Sequence, residues 1–165
     1  MDMTKDNRKQ KNTLLIIVAG LTVVILLLMS GLLIGDKAVQ TPDIVVYKSQ
    51  TCDCCSLWVE HLEENGFIVE THNQQNMNLI KLQLGGIPRN LQSCHTAKAG
   101  DYLIEGHVPA DLIVRLLNEK PQIKGLAVPG MPMGSPGMEG PRNDPYDILA
   151  FKKDGNIQVY ASRNQ

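Results

Sequence analysis

The 165-residue chain has a formal net charge of −1 and is 43% hydrophobic but only 4% aromatic. That length suits one ordinary domain plus an appendage, and the charge balance excludes the basic excess or basic face expected of a nucleic-acid binder. Four cysteines are too few for a disulfide-dense miniprotein, yet three of them, Cys52, Cys54 and Cys55, fall within four positions.

Leu14 to Ile34 is a run of 21 residues without a charge. At about 1.5 Å per residue, a helix of that length crosses a hydrocarbon core of roughly 30 Å. Lys5, Arg8, Lys9 and Lys11 precede it against Asp2 and Asp6. The positive-inside rule therefore keeps residues 1–13 cytoplasmic and places the rest across the membrane, in a periplasm or at the cell surface. A cleaved signal peptide is the competing reading. Its apolar region normally spans about 7–15 residues before a small-x-small site, and Gly35, Asp36, Lys37 and Ala38 make a poor one. The expectation is an uncleaved anchor over 14–34, a linker over 35–43 and an extracytoplasmic domain over 44–165.

Within that domain, Ile44 to Tyr47 reads as a buried strand. The three cysteines follow, and then an amphipathic run with Leu57, Trp58, His61 and Leu62 on one face and Glu60, Glu63 and Glu64 on the other. Asn65-Gly66 stops that helix. Phe67 to Thr71 reads as a second strand, leaving His72 solvated beyond its end, and Met77 to Leu84 as a short helix before Gly85-Gly86. Strand, helix, strand, helix implies a βαβ unit with a parallel pair. Ser93 to Ala97 and Tyr102 to Val108 read as strands around a turn. Alternation along the first of these strands points Cys94 and His95 to opposite faces, which makes His95 the weaker ligand candidate of the two. Pro109 opens a helix through Leu112, Ile113, Leu116 and Leu117. From Gly125 to Pro145, 10 of 21 residues are Gly or Pro, which reads as an irregular, adaptable loop. Asp147 to Phe151 and Asn156 to Tyr160 form a hairpin around Asp154-Gly155.

The chemistry sits in the cysteines. Cys52 and Cys55 have C-x-x-C spacing between a strand and a helix N-terminus, where the helix dipole favours thiolate. A dithiol oxidoreductase needs only those two. Cys54 is surplus to redox exchange but adds a soft metal ligand. Soft donors recur as Met131, Met133 and Met138 in the Gly/Pro loop, where methionine has little core to fill. Cysteine, methionine and histidine together favour Cu(I) over zinc, calcium or magnesium. Bland readings stand beside these. A structural Cys52–Cys94 or Cys55–Cys94 disulfide fits an oxidising compartment. His107 serves equally as a ligand or as a donor to a backbone carbonyl, and the methionine loop equally as a partner-binding segment.

The motif set Tyr47, Ser49, Thr51, Cys52, Cys54, Cys55 and Trp58, with Glu60-His61-Leu62, Gly66-Phe67, Ser93 to Ala97, Glu105 to Ala110 and Gly125 to Pro132, resembles a known family. It is domain-of-unknown-function family 411, the CopG-like metal-binding proteins of bacterial copper-resistance settings. The resemblance spans about Ile44 to Tyr160. It implies an α/β, thioredoxin-like domain with an added hairpin and a copper site built on Cys52, Cys54, Cys55 and Cys94, with His107 and Met131 as further ligands. Copper ions, the membrane and a copper-transfer protein are the partners to expect. Asp53 departs from the pattern, where the family often has Gly, and adds a carboxylate beside the thiols.

Overall fold

The structure is a computed structural model, described here for residues 41–165 and for Ile17, Gly20, Leu21 and Thr22. The expected cytoplasmic segment, all but those four residues of the anchor over 14–34, and most of the linker lie outside the described residues. Among the described residues, no helix is long and apolar enough to cross a membrane.

The unit Gln40–Gln165 is built on a seven-stranded sheet with helices on its faces. Its elements in order are β1 (Ile44–Ser49), α1 (Asp53–Glu64), β2 (Val69–Gln74), α2 (Met77–Leu84), a 3₁₀ turn (Arg89–Leu91), β3 (His95–Ala99), β4 (Tyr102–Gly106), α3 (Ala110–Glu119), β5 (Gly125–Val128), β6 (Tyr146–Phe151) and β7 (Ile157–Arg163). The spatial order is β2-β1-β3-β4-β5-β6-β7. The pairs β1–β2 and β4–β5 are parallel, as expected where a helix carries the crossover, and the other neighbours are antiparallel.

Trp58 and Leu62 of α1 and Leu112, Ile113 and Leu116 of α3 pack with Ile44, Val46, Ala97 and Ile104 in the larger core cluster. The smaller cluster joins Ile87, Leu91, Leu103, Ala127 and Phe151. Alternation along β3 and β4 assigns Ala97 and Ile104 to one face and Thr96, Leu103 and Glu105 to the other.

Several expectations change in register. The second strand starts at Val69, not Phe67, because the chain leaving α1 folds back: the Gly66 and Phe67 amides donate to the Glu63 and Leu62 carbonyls. His72 thus falls inside β2 opposite Tyr47. It stacks on that ring and stands 2.6 Å from Glu70 Oε1, so it has partners while its side chain stays 43% exposed. Leu57, expected in the core, is 48% exposed. The Gly/Pro segment is not irregular throughout, since it begins with the fully buried strand β5. A Cβ at Gly125 would stand 1.9 Å from the Leu103 carbonyl oxygen, so glycine here admits a close strand rather than breaking one.

Candidate metal centre

The centre forms where β1 runs into α1, beside the start of β3 and the end of β4. Cys52 is the N-cap residue of α1, in extended conformation, without a side-chain capping bond. Cys54 and Cys55 occupy the first helical turn. The four ligand atoms of Cys52, Cys54, Cys55 and Cys94 all lie within 4.8 Å of one another. Cys52 and Cys55 are joined as a disulfide, and Cys54 and Cys94 are free thiols. The alternative pairings Cys52–Cys94 and Cys55–Cys94 are therefore not the ones formed. Cys54 Sγ stands 3.5 Å from Cys52 Sγ.

Cys94 is the meeting point of a second group. Its Sγ lies 3.4 Å from His95 Nδ1 and 3.6 Å from His107 Nε2. The far nitrogen of each ring faces a carbonyl: His95 Nε2 lies 3.0 Å from the Gly106 oxygen and His107 Nδ1 lies 2.8 Å from that of Pro136. A carbonyl only accepts, so each of those nitrogens carries the proton and leaves its unprotonated partner facing the sulfur. His107 thus has both roles open to it from sequence: it donates to a carbonyl and presents a lone pair to the centre.

Burial sets the protonation. It pushes the Cys94 thiol up, against the lowering hydrogen bond from Ser93. Burial is likewise the first cause that lowers His95, to about 3, with His107 adding to it. His107 is lowered by burial against the opposing pull of the Pro136 carbonyl. Neutral imidazoles offer lone pairs that a soft metal ion can take directly, whereas the raised Cys94 thiol must give up its proton on binding one.

The alternation expected between Cys94 and His95 does not hold. β3 begins at His95 itself, so Cys94 precedes the strand and the alternation rule does not relate the two. His95 is fully buried, stacks on Trp58 with ring centroids 4.3 Å apart and meets His107 edge-on. Trp58 is held in turn by Nε1 donating to the Val108 carbonyl at 2.9 Å. Asp53 is exposed and stands outside the grouped donors, in the first turn of α1, where a negative charge complements the helix dipole.

The methionine segment is an irregular strap tied by its own backbone hydrogen bonds. Gly134 donates to the Met138 carbonyl, Met138 to Ser135, and Asp144 to Met133. Gly137, at φ +79°, approaches α1 so closely that a Cβ would stand 2.7 Å from both the Cys54 oxygen and the Trp58 nitrogen. Met133 packs its sulfur against Gly140, so packing does account for one of these methionines. Met131 is 43% exposed, on the surface of the strap and not in its buried part.

The family model described as "Protein of unknown function, DUF411" matches residues 91–138. A solved structure titled "Copper resistance protein copG- Form 2" is 42% identical, covers 74% of this chain and 98% of its own, and superposes with a TM-score of 0.69. Its Form 1 counterpart is also 42% identical, covering 76% and 100%, with a TM-score of 0.70. The chain belongs to the CopG-like DUF411 family. No curated relative matches it. The DUF411 match runs from just before Cys94 through His107 to Met138, so it takes in the second histidine group and the strap. The C-x-C-C cysteines lie before it.

Proposed function

We propose that the protein is a membrane-anchored, extracytoplasmic copper-binding protein that takes up Cu(I) for handling or resistance. One observation carries this: four cysteine sulfurs within 4.8 Å, with Cys94 flanked by two histidines. Thiolate and imidazole donors suit a soft monovalent ion, and thiolates can bridge several such ions. Zinc, the other metal such a set accepts, is the competitor to test. The names of the two similar structures point the same way. The order β2-β1-β3-β4, with α1 crossing between parallel β1 and β2, supports a thioredoxin-like core to which β5, β6 and β7 are added. The charge-free run from Leu14 to Ile34, with its basic flank, supports the anchor and the outward domain.

The disulfide withholds two sulfurs from metal. Full loading thus requires a dithiol reductant to supply two electrons and two protons to Cys52 and Cys55. Titration of the detergent-solubilised, reduced chain with Cu(I) against a competing chelator tests the proposal. Binding no tighter than in the variant with all four cysteines replaced by serine would refute it, and a preference for zinc would change the metal.

The Cys52–Cys55 disulfide also favours a second reading, a thiol–disulfide oxidoreductase. Cys55 is buried and Cys52 half-buried, so a substrate thiolate would attack Cys52 and expel Cys55 as thiolate. A second substrate thiol would then resolve the mixed disulfide, leaving the substrate oxidised and the protein reduced. In the reverse direction the reduced Cys52 thiolate attacks a substrate disulfide and Cys55 resolves it, so insulin reduction driven by added dithiothreitol that persists in Cys54→Ser but vanishes in Cys52→Ser would favour this enzyme.

A further inference from the structure

Helix α2 sets a lysine in its inner face, between half-buried Met77, Ile80 and Leu84 at helical spacing, and leaves two leucines outside. Lys81 is 4% exposed, whereas Leu79 and Leu82 are 50% and 78% exposed. An amphipathic helix ordinarily turns leucine inward and lysine to water. This orientation delivers one ammonium group to the surface of the sheet. There Lys81 Nζ pairs with the fully buried Glu105 of β4, donates to Thr96 Oγ1 at 2.6 Å and reaches the His95 carbonyl at 3.5 Å. Glu105 in turn accepts the Ser93 N–H on Oε1 and the Thr96 hydroxyl on Oε2, each at 2.5 Å.

These contacts bracket Cys94. The N–H of the residue before it and the C=O of the residue after it are held by the same buried pair, from the sheet face opposite Trp58. Cys94 precedes β3, whose pairing with β1 begins at His95, so these contacts act where the ladder has not yet started. A buried ion pair is a poor source of stability compared with apolar groups of the same volume, and this one leaves two leucines in water. Its yield is position.

We infer that Lys81 and Glu105 are positioning residues for Cys94, setting the sulfur against the α1 cysteines and the two histidines. This rests on the reading of Cys94 as a working thiol of the metal centre.

Two charge-free double variants of the full chain in detergent test it. Lys81→Met/Glu105→Gln keeps an oxygen that accepts the Ser93 N–H, and Lys81→Met/Glu105→Leu removes it. Neither leaves a lone buried charge. In the reduced, metal-free protein, the rate of iodoacetamide alkylation at Cys94 is followed by mass spectrometry, with Cys54 as the internal reference. The leucine variant should change the Cys94 rate by about tenfold relative to Cys54, the effect of losing one hydrogen bond to a charged group. The glutamine variant should restore most of it. Equal Cys94-to-Cys54 ratios in the folded leucine variant and the wild type would overturn the inference, and so would an undiminished effect in the glutamine variant. Should the leucine variant fail to fold, hydrogen exchange at the Ser93 amide of the wild type decides. Protection supports the clamp, and exchange at the free-chain rate overturns it. None of these readouts needs a metal, so a wild type that binds no copper would sink the proposed function and leave this test standing.

Discussion

Helices α1 and α2 each follow one of the parallel strands β1 and β2, but different forces orient them. α1 buries Cys55, Trp58 and Leu62 and turns Glu60, Glu63 and Glu64 outward. α2 has Lys81 as its buried residue and turns Leu79 and Leu82 outward. For α1, apolar area decides, and every buried methylene adds a small increment. For α2, one ion pair decides, and pairing is close to all-or-none because a single buried charge without its partner is strongly disfavoured. The centre is therefore assembled from two sides: the α1 cysteines by hydrophobic packing, and Cys94 by a polar clamp.

The contrast is broken most forcefully on the α1 side. Trp58 is fully buried, stacks on His95 and donates to the Val108 carbonyl. Trp58→Ala removes a large apolar body and leaves a cavity, so it should cost about 3–5 kcal/mol of unfolding free energy in denaturant melts. A loss under about 1 kcal/mol would mean the surroundings collapse into the space, and that α1 is not held by its core face.

Lys81→Met should come next, at about 3 kcal/mol near neutral pH, because it leaves Glu105 buried without its partner. Its signature is the pH dependence. Burial already raises the Glu105 carboxyl above its ordinary value, with Lys81 as the main opposing influence. Without the ammonium it rises further. A raised carboxyl contributes stability at low pH that is lost as pH climbs through the folded value. The deficit of Lys81→Met should therefore shrink as the pH is lowered from neutral toward the ordinary carboxylate range, in melts that compare variant and wild type. A deficit independent of pH would show that packing, not charge, is what Lys81 supplies.

This difference also explains what could be read from sequence. The stop of α1 at Asn65-Gly66 and the burial of Trp58 and Leu62, though not of Leu57, follow from periodicity, and the convergence of Cys94 on Cys52, Cys54 and Cys55 follows from the family resemblance. The bounds of α2 follow too, as Met77 to Leu84. Its orientation does not, because apolar residues stand on both sides (Met77, Ile80 and Leu84 beside Lys81, Leu79 and Leu82 opposite), and the partner that buries Lys81, Glu105, stands 24 residues away. His95 was misjudged for a similar reason: one residue's shift in where β3 begins removes the alternation on which the judgement rested. The strap was legible as Gly- and Pro-rich, but its docking on Cys54 and Trp58 through Gly137 is a tertiary fact. The chain before residue 41 adds only its hydropathy to the reading.

A smaller effect tests the polar contact that α1 does make. His61 Nε2 accepts the Ala110 N–H at 3.1 Å, tying α1 to the start of α3. Burial lowers this histidine below its ordinary value, against opposing pulls from Glu139, Glu64 and Asp111. The folded state thus favours the neutral ring, while the unfolded chain takes up a proton below about pH 6.5. Stability from this group is complete above that pH and lost as pH falls through the lowered folded value. His61→Leu should cost about 1–2 kcal/mol above that pH, since the Ala110 amide loses its acceptor. It should also make the acid side of the stability profile shallower than in the wild type. An unchanged slope would assign the acid sensitivity to His95 and His107, which are lowered by burial in the same sense.

The smallest effect is the sharpest test of α2. Leu82 is 78% exposed, and an exposed leucine gives up little transfer free energy when replaced by a polar residue. If the ion pair orients the helix, Leu82→Gln should shift stability by less than about 0.5 kcal/mol, as substitutions away from buried features do. The same change at Leu62, fully buried on α1, removes apolar burial and adds an unpartnered amide, so it should cost more than about 3 kcal/mol. Denaturant melts of the two variants, run side by side, give the ratio directly. A Leu82→Gln cost approaching that of Leu62→Gln would mean that in solution α2 rolls its leucines inward. Lys81 would then be carried away from Glu105, and the clamp on Cys94 would be lost with it.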